Sequence, residues 1–323
     1  MRASHWLALV TALVMTGVAG VLFGTMHLGL ADTWRALAGT ADTTTLFVVR
    51  ELRLPRATLA ALLGAGLGLS GAALQGVLRN QLAEPYLLGV SGGAAVGAVI
   101  AASAGIAIAL VPIAAFAGAV IAVAIALFVA HATRSRGDPR VLVMAGVVVG
   151  AFANAAIMVL LANSDASTVR NAVWWMMGSA ANATWSQAGW LAAYVAAGGA
   201  ALVAMARTLD ALSLGEDSAA GLGVDVERSA RRVYLIASLV AAATVAAAGL
   251  VGFVGLVVPH IGRRLGATGH RTLLVASALI GATLVIAADL VARVALPPAE
   301  LPLGAVTAVL GVPFFLATLR RMT

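Results

Sequence analysis

The chain has 323 residues, of which 62% are hydrophobic and 10% are charged, and its formal net charge is +7. A soluble globular domain carries about 25% charged residues, so this composition excludes a soluble protein and indicates repeated membrane spans. The sequence contains neither cysteine nor lysine, which excludes disulfides, thiolate metal sites and a Walker-type ATP site within this chain. Because arginines gather on the cytoplasmic loops of membrane proteins, the positive charge does not indicate binding to nucleic acid.

Apolar stretches follow one another along the chain and predict an all-α polytopic membrane protein with a single domain, residues 1–323. The first stretch is long for a cleavable signal peptide and is counted as a span. The eighth is short, so we expect a half-length or re-entrant helix covered by its neighbours. The ten predicted spans are 6–27, 56–77, 86–104, 108–130, 140–162, 185–206, 230–249, 251–262, 272–293 and 303–319.

The arginines set the expected orientation. With ten spans and a cytoplasmic N-terminus, 14 arginines face the cytoplasm and six face outward. Merging the seventh and eighth spans would place 10 arginines on each side of the membrane. The positive-inside rule therefore favours ten spans with both termini in the cytoplasm. Arg35, Arg50, Arg53 and Arg56 nevertheless crowd the first outer loop and the start of the second span. This local exception to the rule indicates a docking surface.

Small residues recur at helix-packing intervals, as in Gly64, Gly68 and Gly71. Such spacing lets helix backbones approach closely in lipid, where close packing replaces the hydrophobic drive. The run GVSGGAAVG (89–97) fits the same interpretation, because it has no lysine and follows no predicted strand, as a phosphate loop would. The preceding connection RNQLAEP (79–85) is predicted to be a short cytoplasmic turn.

Residues 207–232 form the only extended polar stretch predicted on the cytoplasmic side. Residues 218–222 are expected to make a turn of helix that Gly221 and Gly223 end. Apolar residues recur in this stretch and suit a face that docks on a cytoplasmic partner, although a solvated loop would be equally polar. The residues of that face are Leu212, Leu214, Leu222 and Val224.

Six segments together resemble the FecCD-type permeases, the transmembrane subunits of ABC importers for iron–siderophore complexes, haem and cobalamin. They cover nearly the whole chain in the family's order, and their motifs are long and specific. The segments are LRLPRATLAALLGAGLGLSGAALQGVLRNQLAEPYLLGVSGGAAVGA (52–98), WWMMGS (174–179), LSLGEDSAAGLGV (212–224), GFVGLVVPHIGR (252–263), ADLVAR (288–293) and ELPLGAVTAVLGVPFF (300–315).

The resemblance implies a type II ABC importer permease fold with about ten transmembrane helices, working as a homodimer in the bacterial inner membrane. It also implies two cytoplasmic ATPase subunits, which bind ATP and magnesium, and a periplasmic substrate-binding protein. The chain itself is then expected to hold no cofactor or metal and to catalyse no reaction. Its remaining surface is expected to contact membrane lipid, and no nucleic acid is an expected partner.

The resemblance assigns roles to particular positions. Arg53, Arg56 and Arg293 resemble the outward arginines that meet acidic residues of the binding protein. Asp289 lies four residues before Arg293, so an intrahelical ion pair can exist there as well. The segment 213–224 resembles the coupling helices that fit a cleft on the ATPase. The residues expected to carry that contact are Leu214, Gly215, Glu216, Ala219, Gly221, Leu222 and Gly223.

The cytoplasmic gate loop of the family resembles the turn that contains Asn80 and Leu82, although this chain has Gln81 where the family usually has proline. Asp138 and Pro139 occupy the place of a second constriction. For a haem-type substrate, His27 and Arg170 are the candidate contacts near the outer mouth. Polar residues inside the spans are expected to make interhelical hydrogen bonds rather than to touch substrate; they are Gln75, Asn154, Ser238 and Thr244.

A secondary transporter driven by an ion gradient is the alternative class. It would need ionisable residues at mid-membrane, and only Asp289 comes close, toward the outer end of its span. A membrane enzyme is disfavoured, since paired carboxylates, an HExxH motif and a nucleophile elbow are missing from the sequence. The sequence does not choose between iron–siderophore, haem and cobalamin as the cargo.

Overall fold

The structure is a computed structural model that describes residues 1–24, 26–132 and 139–319. Asp138, one half of the expected second constriction, lies outside these residues. The α-helices are α1 (Ala3–Leu22), α2 (Leu30–Ala38), α3 (Thr43–Phe47), α4 (Leu54–Val77), α5 (Val90–Ser103), α6 (Val111–Ala132), α7 (Pro139–Ala162), α8 (Ala166–Met176), α9 (Trp185–Ala204), α10 (Ala206–Ser213), α11 (Glu216–Gly221), α12 (Val226–Ala248), α13 (Val254–Arg264), α14 (His270–Val294) and α15 (Leu303–Leu319).

The helices confirm the all-α membrane fold. Within the described ranges, seven helical stretches are long and apolar enough to cross a membrane, and α5 and α15 supply two shorter apolar ones. The expected short eighth segment is α13, which has 11 residues and is separated from α12 by a break at residues 249–253. Phe253 adopts a left-handed backbone conformation with φ 66° at this break, so the two segments are not one continuous helix.

The second span begins earlier than the sequence indicated. A π-helical segment, Val48–Arg53, joins α3 to α4, so the helical path runs without interruption over 35 residues from Thr43 to Val77. Arg50 and Arg53 therefore lie on a helix and not in the first outer loop. The sequence also did not predict α2 and α8. They lie in the loops predicted between the first and second spans and between the fifth and sixth spans.

The polar segment 207–232, predicted to be cytoplasmic, is mostly helical. It consists of α10, α11 and the first turns of α12. The expected helical turn exists but begins at Glu216 and includes Gly221 as its last residue. Gly223, with φ 79°, follows as the left-handed residue that ends it.

Helices α4, α12 and α14 form the centre of the bundle, and glycines bring their backbones together. A Cβ atom on Gly64 would lie 2.0 Å from the carbonyl oxygen of Gly281, and one on Gly68 would lie 2.3 Å from that of Ser277. These distances leave no room for any side chain. The predicted small-residue packing is therefore present, with Gly64 and Gly68 against α14 and Gly71 against Gly255 of α13.

Two irregular segments, 79–89 before α5 and 249–253 before α13, contact each other inside the bundle. Glu84 accepts a 2.5 Å hydrogen bond from the N–H of Phe253, and the hydroxyl of Tyr86 accepts one of 3.0 Å from Val251. Non-helical backbone is tolerated in a membrane protein only where protein covers and satisfies it. These two side chains satisfy the broken backbone between α12 and α13.

Candidate functional site

The π-helical segment turns two arginines toward the ends of two other helices. Arg53 donates to the carbonyl oxygens of Val21 and Leu22 at 2.9 and 2.6 Å and also to that of Met26. Arg50 donates to Ala36 at 3.0 Å and to Leu37 at 2.7 Å. The last carbonyls of a helix lack intrahelical partners and carry partial negative charge. Arg53 thus caps α1, and Arg50 caps α2.

Arg56 occupies the centre of a buried ion cluster at the same end of the bundle. Its guanidinium makes paired contacts of 2.9–3.1 Å to Asp289 on α14 and of 2.8–2.9 Å to Glu300, which precedes α15. Arg293 lies 3.2 Å from Asp289 and donates to the carbonyl of Gly20. The expected pair of Asp289 with Arg293 is present, and Arg56 completes it from another helix.

The three arginines predicted to dock a binding protein are largely covered by other parts of this chain. Arg53, Arg56 and Arg293 are only 5%, 8% and 5% exposed. The sequence places them next to an outer loop, but the early start of the second span and the acidic partners on and after α14 draw them inside. Glu300 is the one partner of Arg56 that keeps substantial contact with solvent, with its side chain 33% exposed.

The predicted gate loop begins where α4 ends. Arg79 has φ 50°, a left-handed conformation that turns the chain. The Asn80 side chain accepts a 2.9 Å hydrogen bond from the N–H of Leu82, and the Asn80 carbonyl accepts one from Ala83. These bonds close the turn although Gln81 replaces proline. Both Asn80 and Leu82 are exposed.

The predicted coupling segment contacts the predicted gate loop directly. Arg79 makes a 2.8 Å ion pair with Glu216 in the first turn of α11. Leu214 and Leu222 are 66% and 65% exposed on either side of α11. The apolar face predicted for this segment is thus present in part, since Leu212 is buried instead.

The other residues predicted to touch an ATPase subunit differ in how exposed they are. Ala219, also predicted to carry that contact, is fully buried and packs α11 onto the bundle. Gly221 and Gly223 have open space where a Cβ would point, and Gly215 adopts φ 111° at the start of α11. The exposed candidates in this segment are therefore Leu214, Glu216, Gly221, Leu222 and Gly223.

The Arg79–Glu216 ion pair is one tether between the segment 207–232 and the bundle. A second tether, which the sequence did not predict, joins α10 to α14. Asp210 accepts a 2.8 Å hydrogen bond from the backbone N–H of His270 and lies 2.6 Å from Nδ1 of the same residue. His270 is the first residue of α14, so Asp210 caps the helix whose other end carries Asp289 and Arg293. The two residues are 60 positions apart, so no local sequence pattern could predict their contact.

Polar residues within the bundle are structural, as expected for Gln75. Its amide donates to the carbonyls of Gly255 and Leu256 at 3.2 and 3.3 Å and accepts a 2.7 Å bond from Arg263. Thr244 bonds within its own helix to Ala241. Asn154 differs from them, because it is exposed on α7.

Glu84 is a titratable group that lies where the two irregular segments meet. It lies outside the spans and is largely enclosed. Burial raises the pKa of its carboxyl above the ordinary value, and the hydrogen bond from Phe253 opposes that rise.

The two candidate substrate contacts lie on different elements of the structure. His27 and Arg170 are both exposed, His27 after α1 and Arg170 on α8. Asp165 caps α8, and its hydrogen bonds with Ser167 and Thr168 hold the pKa of that carboxyl below its usual range. Among the described residues, no group of three or more His, Asp or Glu side chains is placed to hold a metal ion.

Comparison with known proteins adds a consistent set of relatives. The sequence profile of the FecCD transport family matches residues 12–321. The hemin transport system permease protein HmuU of Yersinia pestis is 36% identical, with 97% of this chain and 94% of that protein aligned. The vitamin B12 import system permease protein BtuC of Vibrio cholerae is 41% identical over 85% of this chain and 83% of its own length.

A solved structure has the same architecture. It is an inward-facing conformation of a metal-chelate type ABC transporter, with a TM-score of 0.89 and 29% identity. The alignment covers 99% of this chain and all of that one.

Proposed function

Because this chain belongs to the FecCD transport family, we propose that it is the permease subunit of an ATP-driven importer that moves a bulky metal chelate across the bacterial inner membrane. The observation that carries the proposal is the continuous contact from the coupling segment to the gate loop through Arg79 and Glu216. A passive permease needs such a link, because its motion comes from another protein. The cargo class follows the relatives, whose names include hemin and vitamin B12.

The partners of this function are a second copy of the chain, two cytoplasmic ATPase subunits and a periplasmic substrate-binding protein. Support for the second copy comes from α7, which exposes Asn154 on the same helix face as the large apolar side chain of Met158. A polar side chain is costly against lipid but acceptable beside a water-filled pathway. We therefore assign this face of α7 to the pathway between two copies.

Two tethers carry motion from the ATPase subunits into the bundle. The exposed leucines Leu214 and Leu222 offer the apolar contact for an ATPase cleft. Displacement of α11 pulls on the gate loop through Glu216, and displacement of α10 pulls on α14 through Asp210. Since α14 is a continuous helix of 25 residues, its movement at His270 also reaches the ion cluster at the far end.

The binding protein docks at that far end, and Arg56 is the arginine available to it. Its contacts with Asp289 are buried, whereas its partner Glu300 is partly exposed. An acidic residue of the binding protein can therefore take the place of Glu300 on Arg56 without disturbing Asp289. Arg53 and Arg293 serve this surface indirectly, by holding α1 against it.

A secondary transporter is the second candidate, and the geometry disfavours it. Such a protein needs a carboxylate free to exchange a proton or sodium ion at membrane depth. Both oxygens of Asp289 are already engaged by Arg56 and Arg293. This arrangement suits a structural ion cluster.

Reconstitution in liposomes tests the proposal. The chain would be assembled with its ATPase subunit and binding protein, and uptake of haem, a ferric siderophore and cobalamin would be measured with and without ATP. ATP-dependent uptake of one chelate is the expected result. Uptake by the chain alone, driven by a proton or sodium gradient, would instead establish the secondary transporter.

A further inference from the structure

A large apolar cavity lies between α1, α2 and the start of α4. Its volume is about 970 Å³, at the upper end of the roughly 300–1,000 Å³ typical of small-molecule sites. It is remote from the gate loop and the coupling segment, and the proposed transport cycle makes no use of it. The lining residues are Leu13, Val14, Gly17, Val18, Val21, Leu22, Leu30, Ala31, Thr33, Trp34, Leu37, Leu54, Ala57, Thr58, Ala61 and Ile286.

The chemistry of the lining favours a hydrocarbon ligand. Thr33, one of the two threonines in the wall, already donates its hydroxyl to the carbonyl of Gly29, and charged side chains are missing from the lining. A metal chelate, a nucleotide or a peptide would therefore lose its hydration without gaining partners. A cavity of this kind is filled by apolar groups and not by water.

The cavity opens onto the surface of the protein that meets lipid. Val14 and Val18 line it and are also 56% and 49% exposed along α1. Only Gly20 and Val21 of α1 are buried, so this helix stands largely in the surrounding bilayer. The cavity is thus a concave continuation of the lipid-facing surface.

Helix α2 covers one end of the cavity in the manner of an interfacial helix. Leu30, Trp34 and Leu37 form one apolar stripe on it and are 74%, 72% and 41% exposed, while Asp32 and Arg35 form an exposed ion pair. Helices with an apolar face, a tryptophan and a charged face lie at the boundary between headgroups and acyl chains. Polar headgroups would meet Arg35 at the level where the cavity begins.

The walls are held in place by the two helix-capping arginines. Arg53 fixes the end of α1 and Arg50 fixes the end of α2, and both arise from the same π-helical segment. The cavity is therefore built into the fold and does not depend on a ligand to separate its walls.

We propose that this cavity binds one acyl chain of a phospholipid from the surrounding leaflet, with the phosphate of that lipid at the level of Arg35. The bound chain acts as a filler that packs α1 against α4 and α14. This inference depends on membrane placement and not on the transported cargo, so it can fail while the proposed function holds.

Native mass spectrometry of the detergent-purified protein tests the inference. Gly17 has open space where its Cβ would point, so Gly17→Phe fills the cavity without straining the backbone. Gly189 on α9 has the same freedom and does not line the cavity, which makes Gly189→Phe the matched control. Dioleoylphosphatidylglycerol would be titrated into each delipidated protein and the number of bound molecules counted.

The expected result is one tightly retained phospholipid per chain in the wild type and in Gly189→Phe, and its loss in Gly17→Phe. Ala61→Leu, which fills the cavity from the α4 side, repeats the test should Gly17→Phe fail to fold. Equal retention in the wild type and a folded cavity-filling variant would overturn the inference. A parallel titration with sodium oleate in which oleate is retained but the phospholipid is not would also overturn the inference, since the occupant would be a free fatty acid.

Discussion

Arg79 and Glu216 form an ion pair of 2.8 Å that connects the end of a central span to the first turn of the coupling helix. The two residues are 137 positions apart in the sequence. Their side chains are 39% and 47% exposed, and exposed pairs contribute only about 0.2–1 kcal/mol to folding. Such a pair is inexpensive to break during a transport cycle, which suits a mechanical link better than a structural one.

Breaking this pair should uncouple ATP hydrolysis from uptake while leaving the protein folded. We expect Arg79→Glu to lower the amount of chelate taken up per ATP hydrolysed in proteoliposomes that contain the assembled complex. Combining it with Glu216→Arg restores the opposite charges and should recover most of the coupling. Arg228→Ala, at another exposed pair of the same cytoplasmic surface, is the control. Normal coupling in Arg79→Glu would contradict the proposed link.

The exposed surface of α11 predicts the result of adding bulk at Gly221. A Cβ there meets open space and the backbone is helical, so Gly221→Trp should leave the fold of the chain unchanged. An ATPase subunit that seats α11 in a cleft would be excluded by the new side chain. Co-purification of the tagged permease with its ATPase subunit should therefore fall. Gly189→Trp, on a different surface, should retain the subunit; equal recovery from both variants would show that α11 is not in the interface.

The ion cluster predicts that removal of a charge can strengthen docking. Glu300 occupies the accessible side of Arg56, so it competes with any acidic residue of the binding protein. We expect Glu300→Gln to raise the affinity of the binding protein for the reconstituted permease several-fold, as measured by surface plasmon resonance. Glu51→Gln removes an equal charge from an exposed position in the π-helical segment before α4 and controls for net charge. A weaker complex with Glu300→Gln would mean that Glu300 itself contributes to docking.

The contact between α4 and α14 should tolerate no added methyl group. Gly64→Ala places a Cβ only 2.0 Å from the carbonyl oxygen of Gly281. Overpacking of a tight core costs about 1–3 kcal/mol, and a clash with backbone cannot be relieved by a rotamer change. A lower unfolding temperature in detergent is expected, whereas Gly189→Ala should melt like the wild type. Indistinguishable melting curves for all three proteins would contradict the described helix contact.

The sequence was sufficient for features that depend on local pattern. The length of the apolar stretches predicted the spans, and the distribution of arginines between the two sides of the membrane predicted that α13 is separate from α12. The spacing of glycines predicted close contacts between helices. The burial of Arg56 could not be derived in this way, because it depends on Asp289 and Glu300, which are more than 230 positions away. The tethers at Glu216 and Asp210 are equally non-local. The early start of the second span was missed because Arg50 and Arg53 are typical of loops, and only their carbonyl partners show why they lie on a helix.

Glu84 predicts a pH dependence of stability that a single amide substitution should remove. Its carboxyl is enclosed where the two irregular segments meet, and burial raises its pKa. Because the folded pKa exceeds the unfolded one, the folded chain binds the extra proton, and stability falls as the pH rises from about 4.3 through the folded pKa. The Glu84→Gln variant keeps an oxygen to accept the hydrogen bond from Phe253 but cannot ionise. Its unfolding temperature in detergent should therefore drop less than that of the wild type between acidic and neutral pH. Glu227→Gln, an exposed cytoplasmic carboxyl, should follow the wild type, and parallel curves for all three proteins would show that Glu84 titrates as it does in water.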